Sequence, residues 1–511
     1  MAFIIFEDEH LLAVNKPAGW NTHSPAPYAG EGLYDWLRRR EARCARLSII
    51  HRLDKETSGV IVFGKTATAN RSLSRQFETG LARKKYVLLT DREITFEEFR
   101  ARGALIRSGE KYLPRPIHAG AAIAETVFRR NGRMIEASPL TGKTHQIRVH
   151  AAENGFPILG DTLYGGSPAP RLCLHAAELS LAHPVTNEPI TLAAPVDFET
   201  DARLALRQAI IDPNLTNAFR LIHGAADGWP DLYVDRLGDF ALAQSAKLLS
   251  EPQETKLREL STLFSSRAVY FKVLRHEDKA APRCLWGTPA SGEFTIRENG
   301  LLYALSFDEG YSIGLFLDQR DNRRSLLTRH IAADFEIPPK PEVLNAFAYT
   351  CGFSVCAAKA GGRVTSLDLS RNYLDWGKRN FAVNGINPSD HDFIFGDVFD
   401  WFKRFTRKQR LFDMIILDPP TFSRSKQSGV FQAEKDYGRL VAAALPLLKR
   451  GGILLASTNA ADFAPEDFME ILSRAVSGRK ILQHHYAPQP PDFPVEHIEP
   501  AYLKTVWLRI D

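Results

Sequence analysis

EVLNAFAYTCGFSV, residues 342–355, reads as a strand, a tight turn and the start of a helix, and RVTSLDLS, residues 363–370, then ends a second strand on Asp368. Asp368 lies 23 residues after Asn345. In a doubly wound parallel sheet an acid about 20 positions after the first strand takes a ribose hydroxyl pair. The turn is poor in glycine, with Cys351 beside Gly352. That argues against the GxGxxG dinucleotide loop and leaves the nucleotide-type cofactor open among NAD, FAD and S-adenosylmethionine.

The segments around this unit agree with it. From about residue 300 the chain alternates strand-like and helix-like runs: EVLNAF, FSVCAAKAGG, RVTSLDLS, NYLDWGKRNFAVNG, FDMIILDPP, GRLVAAALPLLKRGG and ILLAST. Such alternation predicts a parallel sheet with helices on both faces. Residues 1–200 differ. Short β-like runs (AFIIF, LLAVNK, GVIVFG, KYVLLT, QIRVH, ITLAAP) broken by Gly, Pro and Asn predict a mixed, mainly antiparallel α+β domain. DARLALRQAIID, residues 201–212, has helical periodicity and stops at Pro213, so residues 201–213 are expected to form a linking helix. Residues 214–300 read as a small α/β connector and 301–511 as the doubly wound, Rossmann-like domain. At 511 residues the chain is too long for one core.

Composition excludes several classes. No stretch approaches the roughly 18 apolar residues of a membrane span, and MAFIIFEDEH has no cationic signal-peptide start, so a cytoplasmic protein with no membrane partner is expected. Cys44, Cys173, Cys284, Cys351 and Cys356 are scattered without a CxxC pair, which suggests reduced thiols and no metal site. The formal charge is only +5, but Arg38, Arg39, Arg40, Arg43 and Arg46 form one basic run, Arg83, Lys84 and Lys85 a second, and Arg129, Arg130 and Arg133 a third. Three clusters within the first 150 residues favour a polyanionic partner over solvated faces.

HRLDKETSG, residues 51–59, places Asp54 among His51, Arg52 and Lys55, whose charge favours its ionised form. A surface ion pair and a nucleophile both fit that stretch taken alone. It occurs, however, in order with KPAGW (16–20), KKYVLL (84–89), GKTHQIRVHAAENGFPILGDTLYGG (142–166) and LHAAELSLAHP (174–184). Together these resemble the RluA family of RNA pseudouridine synthases over residues 10–195. The resemblance implies that Asp54 is the nucleophile toward the target uridine, which detaches, rotates and rejoins through carbon without a cofactor. It also implies that Tyr86 packs on the base, that Arg148 pairs with the catalytic carboxylate, and that Arg52 fills the space left by the flipped uridine. Tyr86 read only as a strand residue is a core aromatic, and His145 and His150 are read as structural.

FDMIIL ends in DPPTFS, residues 418–423. This resembles the [DN]PP[YF] motif of S-adenosylmethionine-dependent amino-methyltransferases, in which the acid or amide and a backbone carbonyl hold the target amine. Asp418, Pro419 and Pro420 match it. Thr421 stands where many members have an aromatic, and Phe422 follows. With LIHGAADGWPDLYVDRLGDF (221–240), GLFLDQRDNR (314–323) and YLK (502–504), residues 214–511 resemble the large-subunit rRNA methyltransferase family that contains RlmI and the methyltransferase half of RlmKL. The resemblance implies S-adenosylmethionine as cofactor, with Asp368 on the ribose, Asp397 of FGDVFD on the adenine amine or else a turn acid, Asn345, Phe347 and Gly352 lining the turn, and Asp318 and Arg320 completing the set.

That family methylates cytosine at carbon 5 or guanine at nitrogen. Carbon-5 chemistry needs a thiolate to add to the ring. No cysteine follows Cys356, and STNAAD (457–462) offers Asn459 where a cytosine enzyme would place one. Guanine is therefore favoured over 5-methylcytosine. The reading is a bifunctional RNA modification enzyme acting on large-subunit rRNA. Its rivals are an RNA-binding or assembly protein with one catalytic half inactive, and a DNA amino-methyltransferase, which leaves the first 200 residues unexplained.

Overall fold

The computed structural model describes residues 3–117, 123–274, 281–309, 312–425, 429–461, 463–496 and 500–511. The chain forms two compact units. One comprises Met1–Pro25, Glu31–Arg38 and Arg43–Ile210, and the other Ala26–Gly30, Arg39–Ala42 and Ile211–Asp511.

The first unit holds a mixed sheet of eleven strands among the described residues. Its path runs Ile4–Glu7, Leu11–Lys16, Ser58–Gly64, Leu174–Ala182, Arg83–Leu88, Met134–Pro139, Ile123–Asn131, Glu98–Ser108 and Lys111–Arg115, with Ser48–Ile49 and Pro189–Ala193 attached at the side. Pairing is antiparallel except between Ser58–Gly64 and Leu174–Ala182. That parallel contact explains the glycine that follows the acidic loop. Gly59 has φ +115°, and a Cβ there would lie 2.2 Å from the Ala176 carbonyl oxygen, so any larger residue would push the two strands apart. Val60, Ile61, Val62 and Phe63 then bury both faces of the strand, so the loop before it starts from a rigid base.

The second unit opens with a five-stranded sheet, Ala218–His223, Tyr233–Leu237, Phe240–Ser245, Ala268–Val273 and Arg283–Gly287. The helix Glu251–Leu263 makes the crossover between its one parallel pair. A buried cluster joins Phe240 and Tyr270 of this sheet to Val343, Met414 and Trp507 further on, so the two layers share a core.

The larger sheet of this unit has seven strands: β1 (Glu342–Ala346), β2 (Arg363–Asp368), β3 (Asp392–Phe395), β4 (Phe412–Leu417), β5 (Leu448–Thr458), β6 (Ile481–Pro488) and β7 (Lys504–Ile510). Their order is β3, β2, β1, β4, β5, β7, β6, parallel from β3 to β5, with β7 antiparallel to both β5 and β6. Helices α1 (Gly352–Lys359), α2 (Arg371–Val383) and α3 (Val398–Arg407) link the first four strands, and α4 (Ala433–Ala444) and α5 (Pro465–Ala475) follow. Met414, Ile415, Ile416 and Leu417 are fully buried, the continuous apolar run of a strand covered on both faces. The fold is thus multidomain, α+β followed by α/β with a doubly wound sheet, as the patterning indicated. No helix among the described residues is long and apolar enough to cross a membrane.

Candidate active sites

The HRLDKETSG loop is irregular and held by buried polar contacts. The Thr22 hydroxyl accepts from the Leu53 amide (3.2 Å) and donates to its carbonyl (2.9 Å). Lys16 is fully buried, and its ammonium donates to the carbonyls of Pro17 (3.0 Å), Trp20 (2.6 Å) and Lys55 (3.0 Å). Burial pulls this ammonium down to about 7, opposed by the negative charges of Glu56 and Asp54. Asp54 caps its own turn by accepting the Thr57 amide at its carbonyl, 3.1 Å.

Asp54 opens into a cleft of about 1180 Å³, and Arg52, Tyr86, His145 and Arg148 line the same cleft. Tyr86 sits mid-strand in Arg83–Leu88, opposite Ala176 and Ala137, and its phenol is pushed up by burial and by the charge of Asp54. Arg148 lies on the helix Gln146–Glu153, whose preceding residue His145 is left-handed at φ +55°.

Two expectations need correction here. Arg148 does not pair directly with Asp54: its Nε and Nη2 donate to the two oxygens of Asp161, 2.7 Å each, with both side chains buried, and Asp54 acts on it only at longer range. The GDTLYGG turn delivers that acid because Gly160, at φ +82°, lets the chain pass within contact of the Arg171 backbone. The second correction concerns His51, which does not add charge beside Asp54. Burial holds its imidazole down at about 3; it accepts from the Val62 amide (3.0 Å) and stacks on Phe77 with ring centres 4.5 Å apart. Sequence reasoning also missed Lys16, Asp161 and Tyr164, whose hydroxyl meets His145 Nδ1 at 2.8 Å and whose ring centre lies 5.0 Å from the Arg148 guanidinium. All three stand inside quoted motifs, but nothing in their spacing names their partners.

The second site is built at the carboxyl ends of β1, β2 and β4. After β1 the chain takes three left-handed residues without glycine, Phe347 (φ +62°), Tyr349 (φ +48°) and Cys351 (φ +64°), each costing of order 1 kcal/mol or more. The turn is fastened from both sides. Asp368 Oδ2 accepts the Tyr349 amide and Oδ1 the Ser370 amide, 2.8 Å each. Gly352 begins α1 with no room for a side chain, since a Cβ would come 2.9 Å from Leu315. Asn345 donates to Ser354 Oγ (2.9 Å), while its Oδ1 is buried without a hydrogen-bond partner. Asp397 caps α3 by accepting the Asp400 amide (3.1 Å), and with Phe347, Leu369, Val398 and Phe399 it lines a pocket beside this turn.

Asp418 follows β4. Burial and the neighbouring Asp318 push its carboxyl up to about 7, with hydrogen bonds to Ser457 and Gln319 opposing the rise. The Tyr437 hydroxyl bridges the carbonyls of Leu417 and Ser457 (2.9 Å each), tying the ends of β4 and β5 together under it. Pro419 is buried, Pro420 and Thr421 are exposed, and the Phe422 side chain is 58% exposed. Asp318 accepts the Tyr502 hydroxyl at Oδ2 (2.9 Å), and its Oδ1 is buried without a hydrogen-bond partner. Arg320, expected at the cofactor, has its guanidinium committed to Asp492 (2.8 and 2.5 Å), a buried pair 172 residues apart in sequence. Cys351 and Cys356 are fully enclosed, and burial pushes both thiols up to about 12.

Residues 219–509, more than half of the chain, match the family described as S-adenosylmethionine-dependent methyltransferase. The chain belongs to that family. Residues 10–153 match a second family, RNA pseudouridylate synthase, so the methyltransferase is preceded by a pseudouridine synthase domain. A ribosomal RNA large subunit methyltransferase of Deinococcus radiodurans is 34% identical over 334 residues, covering 61% of this chain and 78% of the relative. A ribosomal RNA large subunit methyltransferase K/L of Psychrobacter sp. is 42% identical over 172 residues, 33% of this chain and 20% of the relative. A putative S-adenosylmethionine-dependent methyltransferase from Streptococcus mutans superposes with TM-score 0.52 at 26% identity, over 65% of this chain and 87% of that one. A putative methyltransferase complexed with SAH superposes with TM-score 0.54 at 24% identity, over 71% and 98%, and shares the fold.

The methyltransferase half takes S-adenosylmethionine as its cofactor, and the residues at the ends of β1 and β2 fit such a group. Asp368 keeps acceptor capacity on both oxygens, and Asn345 holds a buried acceptor with no partner of its own. Among the described residues no cluster of three or more His, Cys, Asp or Glu side chains is placed to hold a metal ion.

Proposed function

We propose that this chain is a bifunctional enzyme of large-subunit rRNA in the cytoplasm, which isomerises uridine to pseudouridine in residues 1–200 and methylates a guanine nitrogen in residues 301–511. The observation that supports it most is the convergence of Arg52, Asp54, Tyr86 and Arg148 on one cleft, in a chain whose second half presents Asp418 at the end of a doubly wound sheet.

In the first site Asp54 attacks the flipped uridine, Tyr86 lies against the base, and Arg52 enters the vacated stack. Arg148, anchored by Asp161, supplies positive charge at a distance. A direct bidentate contact would occupy the lone pairs that Asp54 needs for attack, whereas a displaced guanidinium leaves them available. Neutral His51 packs the wall without competing for the anion.

In the second site S-adenosylmethionine supplies the methyl group when bound. Asp368 holds the ribose hydroxyls, Asp397 the adenine amine, and Asn345, Phe347 and Gly352 line the turn, with Asp318 beside them. Asp418 and the Pro419–Pro420 backbone accept the donor groups of the base, and exposed Phe422 offers a stacking face. Guanine is favoured because carbon-5 chemistry would need a thiolate, and both cysteines near the cofactor turn are held protonated by burial. The test is tritium release from uridine-labelled rRNA, measured beside methyl incorporation into RNA and into DNA. Activity on RNA in both assays supports the reading, and methylation of DNA alone overturns it.

A further inference from the structure

Helix α3 carries a surface that neither chemistry uses. The segment DWFKRFTRKQR, residues 400–410, holds five cations, Lys403, Arg404, Arg407, Lys408 and Arg410, against one acid, Asp400. Val398, Phe402 and Phe405 turn inward, which leaves the cations outward. Two of them are neutralised, Arg404 by Asp400 (2.7 Å) and Arg410 by Asp392 (2.6 Å). Among the described residues, Lys403, Arg407 and Lys408 have no carboxylate within ion-pair reach, nor has Arg371 at the start of α2. Lys403 and Arg407 stand at i, i+4, a like-charge pair that costs a few tenths of a kcal/mol on a bare helix. The helix dipole returns part of that cost near the C-terminus but calls for no aromatic company.

Aromatic rings nevertheless stand among these cations. The Arg371 guanidinium lies 4.7 Å from the ring centre of Phe395, which is 47% exposed, and Arg404 lies 4.9 Å from that of Trp401. The Trp401 indole donates to the Phe395 carbonyl at 3.3 Å. Between them Gly396 takes φ +152°, and a Cβ there would lie 2.4 Å from Trp401 Nε1, so only glycine lets the indole lie against this turn. The next residues, Asp397, Val398 and Phe399, line the pocket beside the cofactor turn. The cationic and aromatic face therefore begins at the pocket wall and runs outward along a ten-residue helix, about 15 Å.

We propose that this face, formed by α3 and the exposed end of β3, binds a single-stranded stretch of the RNA substrate next to the nucleotide being methylated. Unneutralised cations follow the phosphates, and the exposed Phe395 ring offers a stacking surface to an unpaired base, the combination by which single strands are held without sequence readout. The proposal rests on RNA being the substrate of the methyltransferase half and adds where that RNA lies.

The test uses the full chain carrying Lys403→Ala, Arg407→Ala and Lys408→Ala together, and a fluorescein-labelled single-stranded oligoribonucleotide whose affinity is measured over a range of salt. The slope of log affinity against log salt becomes shallower by about 2, from three cations at about 0.7 each. The KM for RNA in methyl transfer rises about tenfold, while kcat, S-adenosylmethionine binding and pseudouridine formation stay within about twofold. Arg371→Ala, on another helix, moves slope and KM in the same direction and covers the case in which the triple variant loosens α3. Unchanged slope and KM overturn the proposal, leaving a solvated helix face. A larger loss on a duplex probe than on the single strand overturns it as well. A slope that falls in a chain transferring no methyl group to any RNA upholds the surface and refutes the methylation reading instead.

Discussion

Arg148 and Asp161 meet in a buried, bidentate ion pair with both contacts at 2.7 Å and side chains only 7% and 1% exposed. The guanidinium is thus anchored on one carboxylate while it acts electrostatically on another, Asp54, across the cleft. Such an arrangement separates the carboxylate that holds the cation from the one proposed as the nucleophile.

Removing the anchor leaves a buried charge without a partner. Asp161→Ala should lower the stability of the first unit by about 3–5 kcal/mol and abolish pseudouridine formation. Urea denaturation and tritium release from uridine-labelled RNA check both effects. A variant as stable as the parent would mean that Arg148 finds other partners.

Arg148→Met acts on the proposed nucleophile instead. Without the guanidinium the Asp54 carboxylate loses its longer-range counter-charge, and synthase activity should fall by about 10²-fold or more while methyl transfer is untouched. Full synthase activity in this variant would reduce Arg148 to a purely structural role.

The pH profile of methyl transfer reports on Asp418. Its carboxyl is pushed up to about 7 by burial and by Asp318, so it is neutral below that pH and ionised above. If the ionised form accepts the N–H groups of guanine, the rate rises through about pH 7 and levels off, and Asp418→Ala removes the inflection together with about 10²-fold or more of the rate. Stability runs the other way. The folded chain holds this proton more tightly than the unfolded one, so the contribution of Asp418 to stability falls as pH rises from about 4 to about 7. A flat profile between pH 6 and 8 would remove Asp418 from the chemistry.

The two enclosed thiols give a separate check. With both pushed up to about 12, neither attacks a pyrimidine ring near neutral pH. RNA carrying 5-fluorocytosine should therefore form no covalent adduct, and a Cys351→Ala, Cys356→Ala variant should keep its methyl transfer at a stability cost of about 1–2 kcal/mol per site. A trapped complex, or 5-methylcytidine as the main product, would reverse the choice of base.

Much of this was legible in the sequence because local signals are local. HRLDKETSG, DPPTFS and the β1–turn–α1 unit are each recognisable within a few residues, and the alternation after residue 300 follows from strands covered on both faces. What stayed hidden was pairing across the fold. Asp161 lies 13 residues beyond Arg148 and Asp492 lies 172 beyond Arg320, and no periodicity links such positions. Burial was equally hidden. His51 looks like a cation beside Asp54 until its ring is seen stacked against Phe77, and Lys16, of a residue type almost never fully buried, gives no hint that it sits under the HRLDKETSG loop. The order of the last strands, with β7 inserted between β5 and β6, is likewise invisible to hydrophobic patterning, which marks strands but not neighbours.

The central claim is that one chain carries two RNA chemistries on two separate carboxylates. Nucleoside analysis of large-subunit rRNA treated with the parent chain, Asp54→Asn and Asp418→Ala tests it most directly. The account predicts pseudouridine and a nitrogen-methylated guanosine from the parent, only the methylated guanosine from Asp54→Asn, and only pseudouridine from Asp418→Ala. A parent chain that yields only one of these products, or a single substitution that removes both while the chain stays folded, would contradict it.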